Sequence, residues 1–338
     1  MRLFPRVPWF TLTGFTRGFR MHGIIKWLKR WLVRAASVFL PQKQAIALDR
    51  SRRGQEEYRK YLLCEYVFAS YGKSGRTWMR VMLSRYYQQT YALPERILMG
   101  FDNFHKINAA IPRIFFTHDN YLRTYTGNLD SKKDFYNKKV VLLVRRPQDV
   151  AVSQFFQWKY RMRADKMAMN RYPVAGSDIS IYDFVMNPDC GVPRIIDFLN
   201  LWARELPKIE HLLVVRYEDM RVQPEKELPR IIKFLGMDPD DERIRETVEF
   251  SSVENLRKLE KENYFWRGSR VKAKDPGNPH SFKVRRAKVG GYRDYFDDEQ
   301  VAKIDELVNT RLSGVFGYGA EEPEPAGTET AGKPASGG

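Results

Sequence analysis

The sequence predicts an α/β fold in which a central parallel sheet is flanked by helices. Three observations carry this. Lys139-Val140-Val141-Leu142-Leu143-Val144 is a continuous apolar run of the kind that is buried on both faces of a parallel sheet. Runs of this type alternate with segments of helical spacing along most of the chain. Between the first such run and the helix that follows lies a short basic turn containing glycine, Tyr71-Gly72-Lys73-Ser74-Gly75.

Taken in order, the first strand is read over 66–71 and the helix after it over 76–89. Residues 113–118 read as a second strand and 139–144 as the third. Pro147 opens a helix at its first turn, where the missing N–H costs nothing. Residues 192–206 are amphipathic and helical, Leu212-Leu213-Val214-Val215 is a fourth strand, and 224–235 and 241–250 are helices, with Gly236 as a stop signal. A last helix falls over 297–312. Residues 161–180 and 262–284 carry no clear period and read as long binding loops or lids. From Glu321 onward the chain lacks a set of apolar residues able to form a core and reads as disordered.

The 338 residues, 43% of them hydrophobic, suffice for one large domain with appendages. The expected organisation is a basic arm over 1–60, a domain over 61–318 and a tail over 319–338. Net charge is +17, which favours acidic partners such as nucleotides, nucleic acid or anionic lipid. The surplus is uneven: residues 1–60 hold 14 Lys and Arg against 3 acidic residues. No nucleic-acid partner is expected, because the excess sits in one amphipathic arm and no recognition module is visible. In that arm, residues 23–41 place Ile24, Ile25, Trp27, Leu28, Trp31, Leu32 and Val33 on a broad apolar face broken by Lys26, Lys29, Arg30 and Arg34. The charges exclude a transmembrane span and a secretory signal. Two readings stay open for it: peripheral contact with an anionic membrane, or a helix packed on the domain with its charges solvated. The two cysteines, Cys64 and Cys190, suit neither a disulfide framework nor a zinc site, so no metal is expected and a reducing, cytoplasmic setting fits.

The basic turn is the most informative stretch. Backbone N–H groups at a helix start are unsatisfied and the helix dipole is positive there, so strand, basic turn and helix together make an anion cradle. Lys73 adds a mobile charge and Thr77 a hydroxyl. The pattern is not GxxxxGK[ST], since the Lys precedes Gly75. A second anion site follows the third strand: Arg145 stands at the strand end, where ligands bind in open α/β sheets, and Ser153 lies two helical turns on. Asp149 between them reads as structural, capping the helix or orienting Arg145. A small-molecule kinase uses similar parts but needs Mg²⁺ and no such second clamp. A non-catalytic nucleotide-binding relative tethered to membrane is the other alternative.

These motifs, with Arg285-Arg286-Ala287-Lys288-Val289-Gly290-Gly291 near the C-terminus, resemble in kind and order those of the cytosolic-type sulfotransferases, which use 3′-phosphoadenosine 5′-phosphosulfate (PAPS). The resemblance covers residues 64–312 and implies a P-loop-like domain that moves a sulfuryl group from PAPS to an acceptor hydroxyl of a small molecule, carbohydrate or lipid-linked compound. By that resemblance Lys73 is the catalytic lysine at the bridging oxygen, and Ser74, Gly75 and Thr77 hold the 5′-phosphate. Trp78, Tyr217 and Ser251 meet the base. Arg145 and Ser153 grip the 3′-phosphate, with Arg285 and Arg286 as a third clamp. Arg113-Ile114-Phe115-Phe116-Thr117-His118 resembles a strand ending in the catalytic base, which points to His118, with His105 as its rival. The chain departs from the family pattern where Arg76 replaces a Thr and Phe116 stands at the place of a second active-site Lys; the expectation is that Arg76 compensates at the sulfate. The dimer motif is not recognisable, which leaves oligomeric state open. Aromatics at Tyr91, Phe101, Phe104, Phe155, Phe156, Trp158, Tyr160, Tyr264, Phe265 and Trp266 are expected to line the acceptor pocket.

Overall fold

The structure, a computed structural model, describes residues 40–265, 271–272 and 274–318. Nearly all of the amphipathic segment 23–41, and the tail from residue 319, lie outside the described residues. The chain divides into two compact units, Met1–Arg53 and Gly54–Gly338. The expected arm therefore differs in extent from the first unit, since residues 54–60 belong to the second. In the first unit, Asp49 accepts hydrogen bonds from Arg52 and Arg53, one turn further on, at 2.7 and 2.9 Å.

The elements in order are α1 (Gln42–Leu63), β1 (Tyr66–Ser70), α2 (Arg76–Tyr91), β2 (Ile114–Thr117), α3 (Leu122–Thr126), β3 (Lys139–Val144), α4 (Pro147–Arg161), α5 (Ala164–Met169), α6 (Ile181–Met186), α7 (Val192–Glu205), β4 (His211–Arg216), α8 (Tyr217–Val222), α9 (Pro224–Phe234), α10 (Asp241–Phe250), α11 (Val253–Lys261) and α12 (Asp298–Arg311). The four strands form one sheet in the order β2-β1-β3-β4, and every pairing is parallel. Phe68 pairs with Phe116 and with Val141, which fixes the register at the centre.

The sheet has a hydrophobic core on each face. Val67 and Ala69 of β1, with Val140, Leu142 and Val144 of β3, join one core with Phe155, Ile195 and Ile304. Tyr66, Phe68, Val141 and Leu143 face the other, with Met79, Ile231, Ile244 and Leu256. Each such aliphatic or aromatic side chain contributes roughly 1.5–3 kcal/mol when fully buried. Two-sided burial of β1 and β3 explains why their runs are continuous rather than alternating.

Helix starts follow the sequence. Pro147 occupies the first turn of α4, and Asp240, Ser252 and Asp297 accept backbone N–H bonds as N-caps of α10, α11 and α12. Gly236 takes φ 82° just past α9, the left-handed stop expected of it. The stretch read as a loop over 161–180 contains the short helix α5. The described part of 262–284 holds only a single 3₁₀ turn, Pro279–Ser281.

Because the strands are parallel, their carboxyl ends lie along one edge. Lys73 follows β1, His118 follows β2, Arg145 follows β3 and Tyr217 follows β4. Four residues singled out from separate motifs are thus delivered to a single edge by topology alone.

Candidate active site

Gly75 closes the turn after β1 with φ 95° and serves as the N-cap of α2 without a side-chain cap. A Cβ there would lie 2.6 Å from Cδ2 of Tyr217, so glycine is required both by conformation and by the packed ring. Lys73 also has positive φ, 72°, a strained setting for a lysine and one that turns its carbonyl toward β3. Arg145 Nη1 donates to that carbonyl at 3.0 Å, and the Arg145 guanidinium stacks on the Tyr217 ring with its carbon 4.1 Å from the centroid. The Tyr217 ring meets Trp78 edge to face at 5.8 Å. The Trp78 indole donates to Ser251 O at 2.9 Å, while the Ser251 hydroxyl donates to Thr247 O at 2.7 Å. Lys73, Gly75, Arg145, Tyr217, Trp78 and Ser251 therefore form one connected surface.

The electrostatics of this surface are strongly positive. Burial, then the cations Arg161 and Arg145, pull the Lys73 amine down to about 7; Glu260 opposes them and Arg285 adds to them. Burial likewise lowers the Arg285 guanidinium. Nε of Arg145 and Nε of Arg146 are buried without an acceptor in the protein. A buried donor without an acceptor costs about 1–3 kcal/mol, which an anion lying at the strand end would offset. The residues present thus fit a doubly phosphorylated ligand.

His118 is held from both sides. Its Nδ1 lies 2.9 Å from Ser70 O, and its Nε2 lies 2.6 Å from Arg76 Nη2. A carbonyl can only accept and a guanidinium can only donate, so the ring is the neutral tautomer with hydrogen on Nδ1 and the lone pair on Nε2. The next residue, Asp119, makes a buried ion pair with Lys132, and its backbone N–H donates to Thr117 Oγ1 at 2.8 Å. These bonds fix the end of β2. Rival His105 is paired similarly, with Arg113 at 2.9 Å and Ile111 O at 2.7 Å. It stands away from the carboxyl edge, since Arg113 precedes β2.

The C-terminal motif is tied to α4 through Asp149, whose carboxylate accepts the N–H groups of Gly290 and Tyr292 at 2.8 and 3.0 Å. The expectation for Asp149 is a cap or a partner for Arg145; the bonds it makes are to this segment. Arg285 lies over the Phe156 ring at 3.9 Å and donates to Tyr295 Oη. Arg286 is exposed and paired with Asp294 at 2.5 Å, so it is turned to a surface carboxylate. Ser153 and Thr77 are half-buried and Ser74 is buried.

Two features escaped the sequence reading. Arg161, at the end of α4, donates to Ser281 O and to Lys272 O at 3.0 Å and pairs with Glu260 at 3.5 Å. Glu260 accepts the N–H groups of Lys283 and Val284 at 2.6 and 3.0 Å, so these two side chains bind the 271–284 segment beside Lys73. The only signal in the sequence was a cation at a helix end. Of the aromatics expected at the acceptor pocket, Phe104, Phe155, Phe156, Trp158 and Phe265 are buried among core residues. Phe156 and Tyr160 stack with the exposed His280 ring at 4.9 and 5.8 Å, and Trp266 lies outside the described residues. Among the described residues no group of three or more His, Cys, Asp or Glu gathers to hold a metal, and no helix is long and apolar enough to cross a membrane.

Comparison with known proteins agrees with this geometry. The sulfotransferase domain family model matches residues 65–316. Cytosolic sulfotransferase 1 of Arabidopsis thaliana is 25% identical over 288 residues, covering 74% of this chain and 79% of the relative. Cytosolic sulfotransferase 13 of the same plant is 28% identical, covering 74% and 77%. Flavonol 3-sulfotransferase of Flaveria bidentis is 25% identical, covering 73% and 81%. Among solved structures, retinol dehydratase in complex with androsterone and the inactive cofactor PAP superposes with a TM-score of 0.50 at 18% identity, over 77% of this chain and 82% of that one, a likeness of fold. The family match sets aside the kinase and non-catalytic alternatives. It runs from the residue before β1 to beyond α12, across the sheet edge and the Asp149 latch, and the chain belongs to the sulfotransferase domain family.

Proposed function

We propose that this enzyme transfers the sulfuryl group of PAPS to a hydroxyl of a small-molecule acceptor, through the residues gathered at the sheet edge. The observation that carries this reading is the meeting of Lys73 and Arg145 across the ends of β1 and β3, with an unaccepted buried N–H on Arg145. In the proposed step the acceptor oxygen bonds to sulfur as the bond from sulfur to the bridging oxygen breaks. His118 Nε2 takes the hydroxyl proton. The Lys73 ammonium and the backbone N–H groups at the start of α2 face the negative charge left on the departing phosphate, so catalysis is positioning and electrostatics. Arg145 and Ser153, with Arg285, hold the 3′-phosphate, and Trp78 and Tyr217 hold the base. Arg286 joins that clamp only by leaving Asp294. Ser251 acts on the base indirectly, by fixing the Trp78 indole through its carbonyl.

The first test is calorimetry. Adenosine 3′,5′-bisphosphate should bind at least tenfold more tightly than AMP, and equal affinities would reject the two-anion site. The second is radiolabelled PAPS with a panel of phenols, sugars and lipids bearing free hydroxyls. Lys73→Ala and His118→Ala should each lower turnover by about 10²-fold or more. Phenols head the panel because a matched relative is named for a flavonol. The setting we propose is cytoplasmic: the matched Arabidopsis relatives are named cytosolic, and Cys64 and Cys190 are free and buried. Peripheral membrane contact through residues 23–41 rests on their sequence pattern. The full chain should co-sediment with phosphatidylserine vesicles and a chain lacking residues 1–41 should not; equal co-sedimentation would reject it.

A further inference from the structure

Arg76 is the first residue of α2, directly after the anion turn, and its guanidinium donates to the nitrogen of His118 that carries the lone pair. A base whose lone pair is already engaged by a cation cannot accept a hydroxyl proton. The pairing at His105 shows that an Arg–His contact can be purely structural, but Arg113 has no anion turn beside it. Arg76 does, and it is one of two residues, with Gly72, by which the turn departs from the pattern of the family it resembles. On the adjacent strand, Phe116 brings no charge: its ring packs on Phe68 at 5.2 Å, with the Arg80 guanidinium carbon 5.2 Å away. A guanidinium placed between an imidazole and an anion cradle can exchange the imidazole for an oxyanion, which is the stronger acceptor.

We propose that Arg76 gates the base: it caps His118 Nε2 while the turn is empty and swings to the sulfuryl oxygens once PAPS is held, leaving Nε2 open to the acceptor. The inference rests on the assignment of His118 as base. It gives the enzyme an order of events, in which base strength is released only when the group to be transferred is in place. It also gives Arg76 a double use, since the same motion supplies the charge that Phe116 cannot.

The test reads the imidazole itself. In protein labelled with ¹⁵N-histidine, His118 resonances are assigned by their loss in His118→Gln, and PAPS binding is followed separately by calorimetry. On adding PAPS, the Nε2 resonance of His118 should move toward its position in free Arg76→Thr, while His105 stays in place. Adenosine 3′,5′-bisphosphate, which has no sulfuryl group, should leave Nε2 near its free position. Arg76→Lys should retain part of the PAPS-dependent shift. PAPS that binds without moving Nε2, or a bisphosphate shift as large as that of PAPS, would overturn the gate and leave sulfuryl transfer standing. Failure of PAPS to bind at all would overturn the transfer reading, and the gate with it.

Discussion

At the scale of single residues, Lys73 is where structure and chemistry conflict most. Its amine is held near 7 by burial and by Arg161 and Arg145, against 10.5 for a free lysine. The unfolded chain therefore binds more protons than the folded one between about pH 7 and 10.5, so this residue's cost to stability is full below pH 7 and fades as pH rises through that window. Lys73→Met should accordingly raise the melting temperature by a few degrees at pH 6.5 and by much less at pH 10, in scanning calorimetry. An arriving polyanion reverses the electrostatics and restores the ammonium. Binding of adenosine 3′,5′-bisphosphate at pH 8 should therefore take up close to one proton per site, shown by titration in two buffers of different ionisation enthalpy. The phosphates are already fully ionised at pH 8, so they add little, and Lys73→Met should abolish the uptake. Binding with no proton uptake in the wild type would mean that Lys73 is already charged in the free enzyme.

At the scale of elements, α4 acts as a bracket between the strand that carries Arg145 and the segment that carries Arg285. Its Asp149 takes two backbone N–H groups from residues 290–292, one on each carboxylate oxygen, so an asparagine in its place can accept only one of them and sets its NH2 against the other. Asp149→Asn should raise KM for PAPS by about 5–10-fold, consistent with a loss of about 1–1.4 kcal/mol, and leave kcat within about twofold. A drop confined to kcat would place Asp149 in the chemistry. Gly75→Ala should do more, because the new methyl both meets the Tyr217 ring and requires φ 95°, a cost of about 1–2 kcal/mol before any clash. Its measured signature should be weaker bisphosphate binding together with a lowered melting temperature. Elements whose order comes from local chemistry were legible in the sequence. β3 shows as an apolar run, α4 by Pro147 and α10 by its period, and all three fall where expected. The short helices α3, α5, α6 and α8, and α11, were not read, because brief amphipathic stretches carry little periodicity, and the long α1 was missed because its sequence is mostly polar. The burial of Trp158 and Phe155 was not legible for a related reason: sequence gives an aromatic's type but not the face it presents, and here both pack into the core.

At the scale of the whole molecule, the four site residues at the carboxyl edge were readable one motif at a time, while the forces that aim them were not. The Arg76–His118 contact joins residues 42 positions apart, and Arg161 meets Glu260 across 99. The same applies to the extent of the folded unit. Glu57, on α1 and ahead of every motif, accepts the Leu122 N–H at 3.0 Å and the Thr117 hydroxyl at 3.5 Å, on either side of His118. Three residues earlier, a Cβ on Gly54 would lie 2.6 Å from the Cβ of Tyr125, so α1 and α3 are in direct contact there, and Tyr58 packs on the same tyrosine at 5.4 Å. Residues 54–60 should thus be part of the catalytic unit. A protein of residues 54–318 should unfold cooperatively and bind adenosine 3′,5′-bisphosphate, whereas one of 61–318 loses the Glu57 tether and the Tyr58 contact, together worth about 2 kcal/mol or more. At pH 4.5, where the folded chain holds Glu57 protonated, that loss should lower the melting temperature by at least about 4 °C. Burial pushes the Glu57 carboxyl up to about 7, so the folded state holds its proton more tightly than the unfolded chain, and the tether costs stability as pH rises from about 4.5 to 7. Glu57→Gln keeps an acceptor for Leu122 and carries no charge. It should match the wild type at pH 4.5 and exceed it by a few degrees at pH 8. Equal melting curves for 54–318 and 61–318 would show that the unit begins after Glu57, and that the end of β2 holds His118 in place without help from α1.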